Sequence, residues 1–191
     1  AYRSSCRNAQ CGSCAVLVNS KPFLACEKEV AEKVVVEPLS GFPIVRDLVV
    51  DFEKLNERKR RIRPYPELIA PIPRPMIRKQ EEATPILGLS KCIECGICHS
   101  VCPSYKVSAE FAGPSLMCRL ASLEYNKHEK IDRVALSVLE GLYDCTLCHA
   151  CSEACPKSID LQYQVLERMR KLAVNRDAGH LPLQKELADK V

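Results

Sequence analysis

The sequence predicts an α+β chain: a strand-and-loop unit first, then a proline-rich connection, then a helical unit wrapped around cysteine loops. Three observations predict it. Apolar residues form short runs before residue 40 and fall at helical spacing after residue 90. Six prolines (Pro64, Pro66, Pro71, Pro73, Pro75 and Pro85) crowd residues 62–90. Thirteen of the 191 residues are cysteine, and all but Cys118 stand in three groups. The length allows one or two small domains. An apolar content of 47% suffices for globular packing, while 5% aromatics and no Trp exclude a large aromatic core. The net charge of +4 is too small to argue for nucleic acid. No apolar run approaches the roughly 18 residues that span a bilayer.

In order along the chain, Ala15–Val18 and Phe23–Cys26 read as strands, with Asn19-Ser20-Lys21 as a hairpin turn. Val34-Val35-Val36 is a further β-branched run. From Arg46 to Arg61 the pattern turns helical, with Leu48, Phe52 and Leu55 on one face. The basic run Arg58-Lys59-Arg60-Arg61 at its end reads as a solvated helix terminus that suits the helix dipole. Residues 62–89 read as a stiff, extended linker in which regular helix and central strand are excluded. The units flanking it are then 1–61 and 90–191. Gly113-Pro114 precedes a helix over Ser115–Asn126. Ile131, Val134, Ala135, Val138, Leu139 and Leu142 form one amphipathic stripe. Leu161, Val165, Leu166, Met169, Leu172 and Ala173 form another. Leu183–Val191 reads as the start of one more helix.

The cysteine groups are Cys6, Cys11, Cys14, Cys26; Cys92, Cys95, Cys98, Cys102; and Cys145, Cys148, Cys151, Cys155. Thiols this tightly spaced cannot readily pair as disulfides, and as thiolates they repel unless metal holds them. Cys92–Pro103 (CIECGICHSVCP) and Cys145–Pro156 (CTLCHACSEACP) repeat one pattern, C-x2-C-x2-C-x3-C-P. That is the bacterial ferredoxin run, whose fourth Cys ligates the other cluster. One [4Fe–4S] cluster is therefore assigned to Cys92, Cys95, Cys98 and Cys155, and a second to Cys145, Cys148, Cys151 and Cys102. Cys6, Cys11 and Cys14 match the opening of the plant-type [2Fe–2S] run. Cys26 is the nearest cysteine to complete that set.

Two other chemistries compete. Cys95-Gly-Ile-Cys98-His99 and Cys145-Thr-Leu-Cys148-His149 satisfy the haem-attachment pattern. Haem would leave Cys92, Cys102, Cys151 and Cys155 idle. Structural zinc takes four ligands, usually as two pairs, and has no use for triplets each followed by Cys-Pro. His99 and His149 read as neighbours of the clusters, His128 and His180 as surface residues, and Cys118 as a buried apolar thiol on a helix face. No nucleophile–base pair, phosphate loop or paired catalytic carboxylates are seen. The expectation is an electron wire with no substrate site of its own, and a free ferredoxin-like carrier remains an open alternative.

The order of motifs resembles the iron–sulfur subunit of succinate dehydrogenase and fumarate reductase. The resemblance rests on Arg3-Ser4-Ser5-Cys6-Arg7 through Cys11-Gly12-Ser13-Cys14, on Arg46-Asp47-Leu48-Val49-Val50-Asp51, on Arg63-Pro64-Tyr65 and on Gly113-Pro114-Ser115. It implies a partial β-grasp ferredoxin domain, with the family's earlier strands missing from this chain, followed by a helical domain with two clusters. It also implies an FAD-containing flavoprotein partner, and a quinone or another carrier at a membrane anchor on the cytoplasmic face. Two departures matter. The family's last cluster is usually [3Fe–4S], with a non-cysteine where this chain has Cys148. A second [4Fe–4S] cluster is therefore expected, with [3Fe–4S] on Cys102, Cys145 and Cys151 as the rival. Val107 and Thr146 stand where the family has its quinone-site Trp and His. Thiol-driven fumarate reductases and heterodisulfide-reductase-like proteins are accordingly the alternative relatives.

Overall fold

The hairpin expected near residue 19 opens the first sheet. The computed structural model describes residues 1–30, 32–69 and 77–176. Strands β1 (Ala15–Val18) and β2 (Lys21–Leu24) run antiparallel, with Ala15 opposite Leu24 and Val18 opposite Lys21. Asn19 and Ser20 both take positive φ, at 49° and 64°. That is the two-residue turn whose twist suits a hairpin. Lys21 therefore belongs to the strand and not to the turn. β3 (Val36–Glu37) pairs with the other edge of β1, giving the order β2-β1-β3.

The helix expected from Arg46 begins later. Residues 44–50 instead form a ribbon, β4 (Ile44–Arg46) against β5 (Val49–Val50), reversed at Asp47 with φ 50°. β-Branched Val49 and Val50 favour the extended form, and Val50 is buried. The helix α1 then spans Glu53–Arg61, started by the Glu53 N–H donating to Asp51 Oδ1 at 2.8 Å. Leu55 is buried, and the Phe52 ring meets Phe42 edge-on at 4.7 Å.

The end of α1 is a joint and not the expected solvated terminus. Arg58 is buried and donates to the carbonyls of Phe111 and Ala109, at 2.6 Å each. Arg61 forks onto Glu140 at 3.1 and 2.7 Å. Arg60, folded back on Glu53 at 2.7 Å, and Arg61, exposed apart from its hold on Glu140, remain at the surface. The following segment is tied down in the same way. Arg119 donates to Pro64 O at 2.6 Å. The fully buried Arg133 donates to the carbonyls of Ile62 and Arg63 at 2.8 Å and of Tyr65 at 2.9 Å. Backbone bonds from Lys130 N to Glu67 O and from Ile69 N to His128 O complete the strap. His128, expected at the surface, is half-buried beside it.

A helix also occupies part of the segment from which helix was excluded. α2 spans Gln80–Leu89 with Pro85 inside it. Proline removes one backbone donor there. Tertiary packing of α2 on α5, with Leu89 buried, outweighs that loss. The helical unit continues through α3 (Ile97–Val101), α4 (Pro103–Val107), α5 (Pro114–Glu124), α6 (Arg133–Leu139), α7 (Ala150–Glu153) and α8 (Arg168–Arg176). A 3-10 turn covers Leu142–Asp144, and a π-helical turn at Gln162–Glu167 leads into α8. Asp132 caps α6 by accepting the N–H groups of Val134 and Ala135. Of the two apolar stripes, Val134, Ala135 and Leu142, and Leu161, Val165, Leu166, Met169 and Ala173, are buried. Gly113 precedes α5 at φ 102°, where any Cβ would run into the His99 ring. The helix expected at Leu183–Val191, and His180, lie outside the described residues.

Candidate metal centres

The β1–β2 hairpin explains how Cys26 reaches a triplet that ends at Cys14. Cys14 precedes β1 and Cys26 follows β2, so the two flank the open end of one ladder. The Ala25 N–H donates to Cys14 O there at 3.0 Å. The loop between Cys6 and Cys11 turns its amides onto sulfur. Asn8, Gln10 and Cys11 N–H groups point at Cys6 Sγ at 3.3–3.4 Å, and the Ala9 N–H points at Cys26 Sγ at 3.3 Å. Left-handed φ at Arg7, Ala9 and Gly12 produces that curl. A hydrogen bond from Ser13, then others from Cys6, hold the Cys11 thiol down to about 6. A Cβ on Gly12 would lie 2.8 Å from both Cys95 Cβ and Ile93 O. The first loop therefore packs directly on the second.

The other eight thiols line two voids. The first is walled by Cys92, Cys95, Cys98 and Cys155 with Ile93, Ile159 and Leu161. The second is walled by Cys102, Cys145, Cys148 and Cys151 with Leu147, Gln162 and Leu166. Each run thus contributes its last cysteine to the void of the other. Packing of α3 on α7 sets the two runs side by side. The backbone repeats as well. Glu94 and Gly96 take φ 53° and 81°, and Leu147 and His149, at the same places in the second run, take 55° and 67°. Where the first run uses glycine, the second holds a histidine in the same left-handed conformation. That ring stacks on Tyr163 at 5.5 Å and lies 3.7 Å from Asp160.

Thiolates crowded this way are costly without a positive charge among them. Burial, then Cys92 and Cys155, pushes Cys95 up to about 11. Burial, then Cys102 and Cys145, pushes Cys151 up to about 12. The fully buried Cys98 rises well above the ordinary thiol range. Cys92 moves the other way, to about 7, because the Cys118 thiol donates to it. Cys118 is thus buried on α5 as expected, with its thiol also 3.8 Å from Leu89 O. The donor set is all sulfur, met by amide donors from Leu147 to Cys145 Sγ and from Ile159 to Cys155 Sγ at 3.4 Å each. Such a lining fits a multi-iron cluster.

His99, next to Cys98, is fully buried, 2.7 Å from Ser115 Oγ and edge-on against Tyr105 at 4.4 Å. Burial pushes its pKa down to about 3, so the ring is neutral. Cys148 and Thr146 are exposed at the outer void, and Val107 is 86% exposed. Cysteine spacing gave no sign of Arg170, whose guanidinium lies against the Cys145 turn. The hint was positional: it sits beside the buried stripe of α8, one residue after Met169.

Two family models match: a 2Fe-2S iron-sulfur cluster binding domain over residues 1–57, and a 4Fe-4S dicluster domain over residues 88–159. One component of the fumarate reductase (CoM/CoB) of Methanothermobacter marburgensis is 38% identical over 98% of this chain. The chain spans 38% of that relative, and 36% of an iron–sulfur protein of Methanocaldococcus jannaschii that is 40% identical. The fumarate reductase iron–sulfur subunit of Haemophilus influenzae is 38% identical, the match covering 83% of this chain and 70% of the relative. Among solved structures, a chain of the Mycobacterium smegmatis Sdh1 complex in the apo form superposes with a TM-score of 0.85 at 30% identity. That match covers 93% of this chain and 79% of the other. The chain belongs to the family of succinate dehydrogenase and fumarate reductase iron–sulfur subunits.

Proposed function

We propose that this chain is the electron-relay part of a succinate dehydrogenase or fumarate reductase type of complex, passing electrons between an FAD-containing flavoprotein subunit and a second carrier. In this reading residues 1–61 hold a [2Fe–2S] cluster on Cys6, Cys11, Cys14 and Cys26. Residues 90–191 hold a [4Fe–4S] cluster on Cys92, Cys95, Cys98 and Cys155, and a second on Cys102, Cys145, Cys148 and Cys151. Residues 62–89 join the two parts. Bound clusters supply sites that take up and release one electron at a time. The observation that carries the reading is the exchange of Cys102 and Cys155 between the two voids. Contact of the Gly12 loop with Ile93 and Cys95, and adjacency of the two runs through α3 and α7, support a continuous relay.

The protein's own residues have definite tasks in this scheme. The amides of residues 8–11 and of Leu147 and Ile159 stabilise sulfur charge. The neutral His99 packs between Ser115 and Tyr105 beside the first run without adding a positive charge. Among the described residues no helix is long and apolar enough to cross a membrane, so attachment to a membrane would be through an anchor partner. The exposed Cys148, together with Val107 and Thr146 at the places of the family's quinone-site residues, favours a thiol or heterodisulfide partner over quinone. The name of the Methanothermobacter relative points the same way.

The test is anaerobic purification of the full-length protein, with iron, acid-labile sulfide and zinc analysis and electron paramagnetic resonance. About ten irons per chain, from one two-iron and two four-iron clusters, are expected. Zinc without sulfide would reject the relay. Co-elution with a flavoprotein is expected, and elution alone would favour the free carrier. The oxidised protein should lack a strong [3Fe–4S] signal, and Cys148→Ser should create one. A strong signal in the unaltered, oxygen-free protein would assign the last site to three cysteines.

A further inference from the structure

Arg170 reaches from α8 across the turn that enters the second ferredoxin run. Its guanidinium donates to Leu142 O at 3.1 and 3.4 Å, to Tyr143 O at 3.2 Å and to Cys145 O at 2.5 Å. It also lies over the Tyr143 ring, 5.5 Å from the centroid. These partners are neutral. Among the described residues no carboxylate forms an ion pair with Arg170; the Asp144 carboxylate of the same turn is instead engaged by Ser108 Oγ at 2.7 Å. The first run has cations of its own: Lys59 is met by the Glu94 carboxylate, and Lys157 lines the void and donates to Gln10 Oε1 at 3.4 Å.

A guanidinium fixed on the backbone of a ligand residue has an electrostatic consequence. One-electron reduction adds a negative charge to a thiolate-held site, with no bond made or broken and no proton required. A nearby fixed cation stabilises that reduced form relative to the oxidised one. The fork on three carbonyls of one turn holds the cation there. Arg170 is half-buried, so solvent screens the effect only in part. The fourth thiolate expected at this site, Cys148, adds negative charge that would lower the potential, and Arg170 opposes it.

We propose that Arg170 is a positioning residue that raises the reduction potential of the outer site above the value that site would have without the guanidinium. This rests on the cluster proposed at Cys102, Cys145, Cys148 and Cys151. The test is a redox titration followed by electron paramagnetic resonance on the full-length protein in its native complex, comparing Arg170→Gln and Arg170→Lys with the parent. With Arg170→Gln the reduced-to-oxidised ratio of the outer cluster at a fixed potential should fall about tenfold, a shift of about 59 mV for one electron. The midpoints of the other two clusters should stay in place. Arg170→Lys keeps the charge and should stay within about threefold of the parent ratio. If Arg170→Gln does not retain the cluster, Arg170→Met, which also removes the charge, carries the same expectation of about tenfold. An unmoved outer midpoint in Arg170→Gln, equal shifts of all three clusters, or a full shift in Arg170→Lys would overturn the role of Arg170. Absence of any cluster signal from the parent would instead overturn the relay itself.

Discussion

Alanine at Cys155 is expected to destroy the four-iron cluster of the first ferredoxin run, or reduce it to a three-iron form, while sparing the cluster of the run that contains Cys155. Alanine at Cys102 should do the converse. The reason is geometric. Cys155 lines the void with Cys92, Cys95 and Cys98, whereas Cys102 lines the one with Cys145, Cys148 and Cys151. Loss of one thiolate from a four-cysteine set leaves one iron without a protein ligand. Each variant should lose between one and four irons, read by iron analysis, and its electron paramagnetic resonance spectrum should lack one cluster signature. Assignment follows from the Cys148→Ser variant, which marks the second site independently. If Cys155→Ala altered the same signature as Cys148→Ser, each run would be holding its own cluster and the exchange would be wrong.

Replacing Arg133 with methionine should cost about 3–5 kcal/mol of stability, the usual penalty for breaking a buried ion pair from one side. The guanidinium is fully buried and bonds three carbonyls of residues 62–65 as well as Glu129 Oε1 at 3.0 Å. Methionine fills much of the volume but donates nothing. Glu129 would keep only the weaker backbone donors Glu67 N and Ile131 N, at 3.2 Å each. For a chain of this size the melting temperature, followed by cluster bleaching under anaerobic conditions, should drop by roughly 10 °C. Adding Glu129→Leu should recover part of the loss, because the stranded charge is then gone. A decrease of less than about 1 kcal/mol for Arg133→Met would show that the strap over α6 does not depend on this side chain.

The cysteine chemistry was legible because its information is local. Spacing within nine or ten residues decides which thiols share a loop, and the Cys-Pro ending marks the one that leaves it. The hairpin was legible for the same reason, through Asn19 and Ser20. What escaped depends on groups far apart in sequence. Arg58 and Arg61 look like a soluble helix end until residues 109–111 and Glu140 arrive beside them. Pro85 argues against helix locally, yet burial of Leu89 against α5 prevails. The stretch Arg46–Val50 shows helical spacing, but spacing alone cannot report the left-handed turn at Asp47 that makes it a ribbon. His149 gave no sign that it adopts the conformation Gly96 adopts in the first run. That equivalence emerges only when the two backbones are compared.

The joint between the strand-bearing and helical parts has a property that follows from its chemistry. It is fastened largely by Arg58, Arg119 and Arg133 gripping peptide oxygens. Guanidinium keeps its proton at any physiological acidity, and amide oxygens have none to lose. The guanidinium–carbonyl bonds therefore have no titration point at which they loosen, unlike the Arg61–Glu140 and Arg133–Glu129 pairs beside them. Tunnelling rates decay steeply with separation, so bonds that do not respond to acidity help to keep the step between the first loop and its neighbour constant while protons are exchanged elsewhere in the assembly.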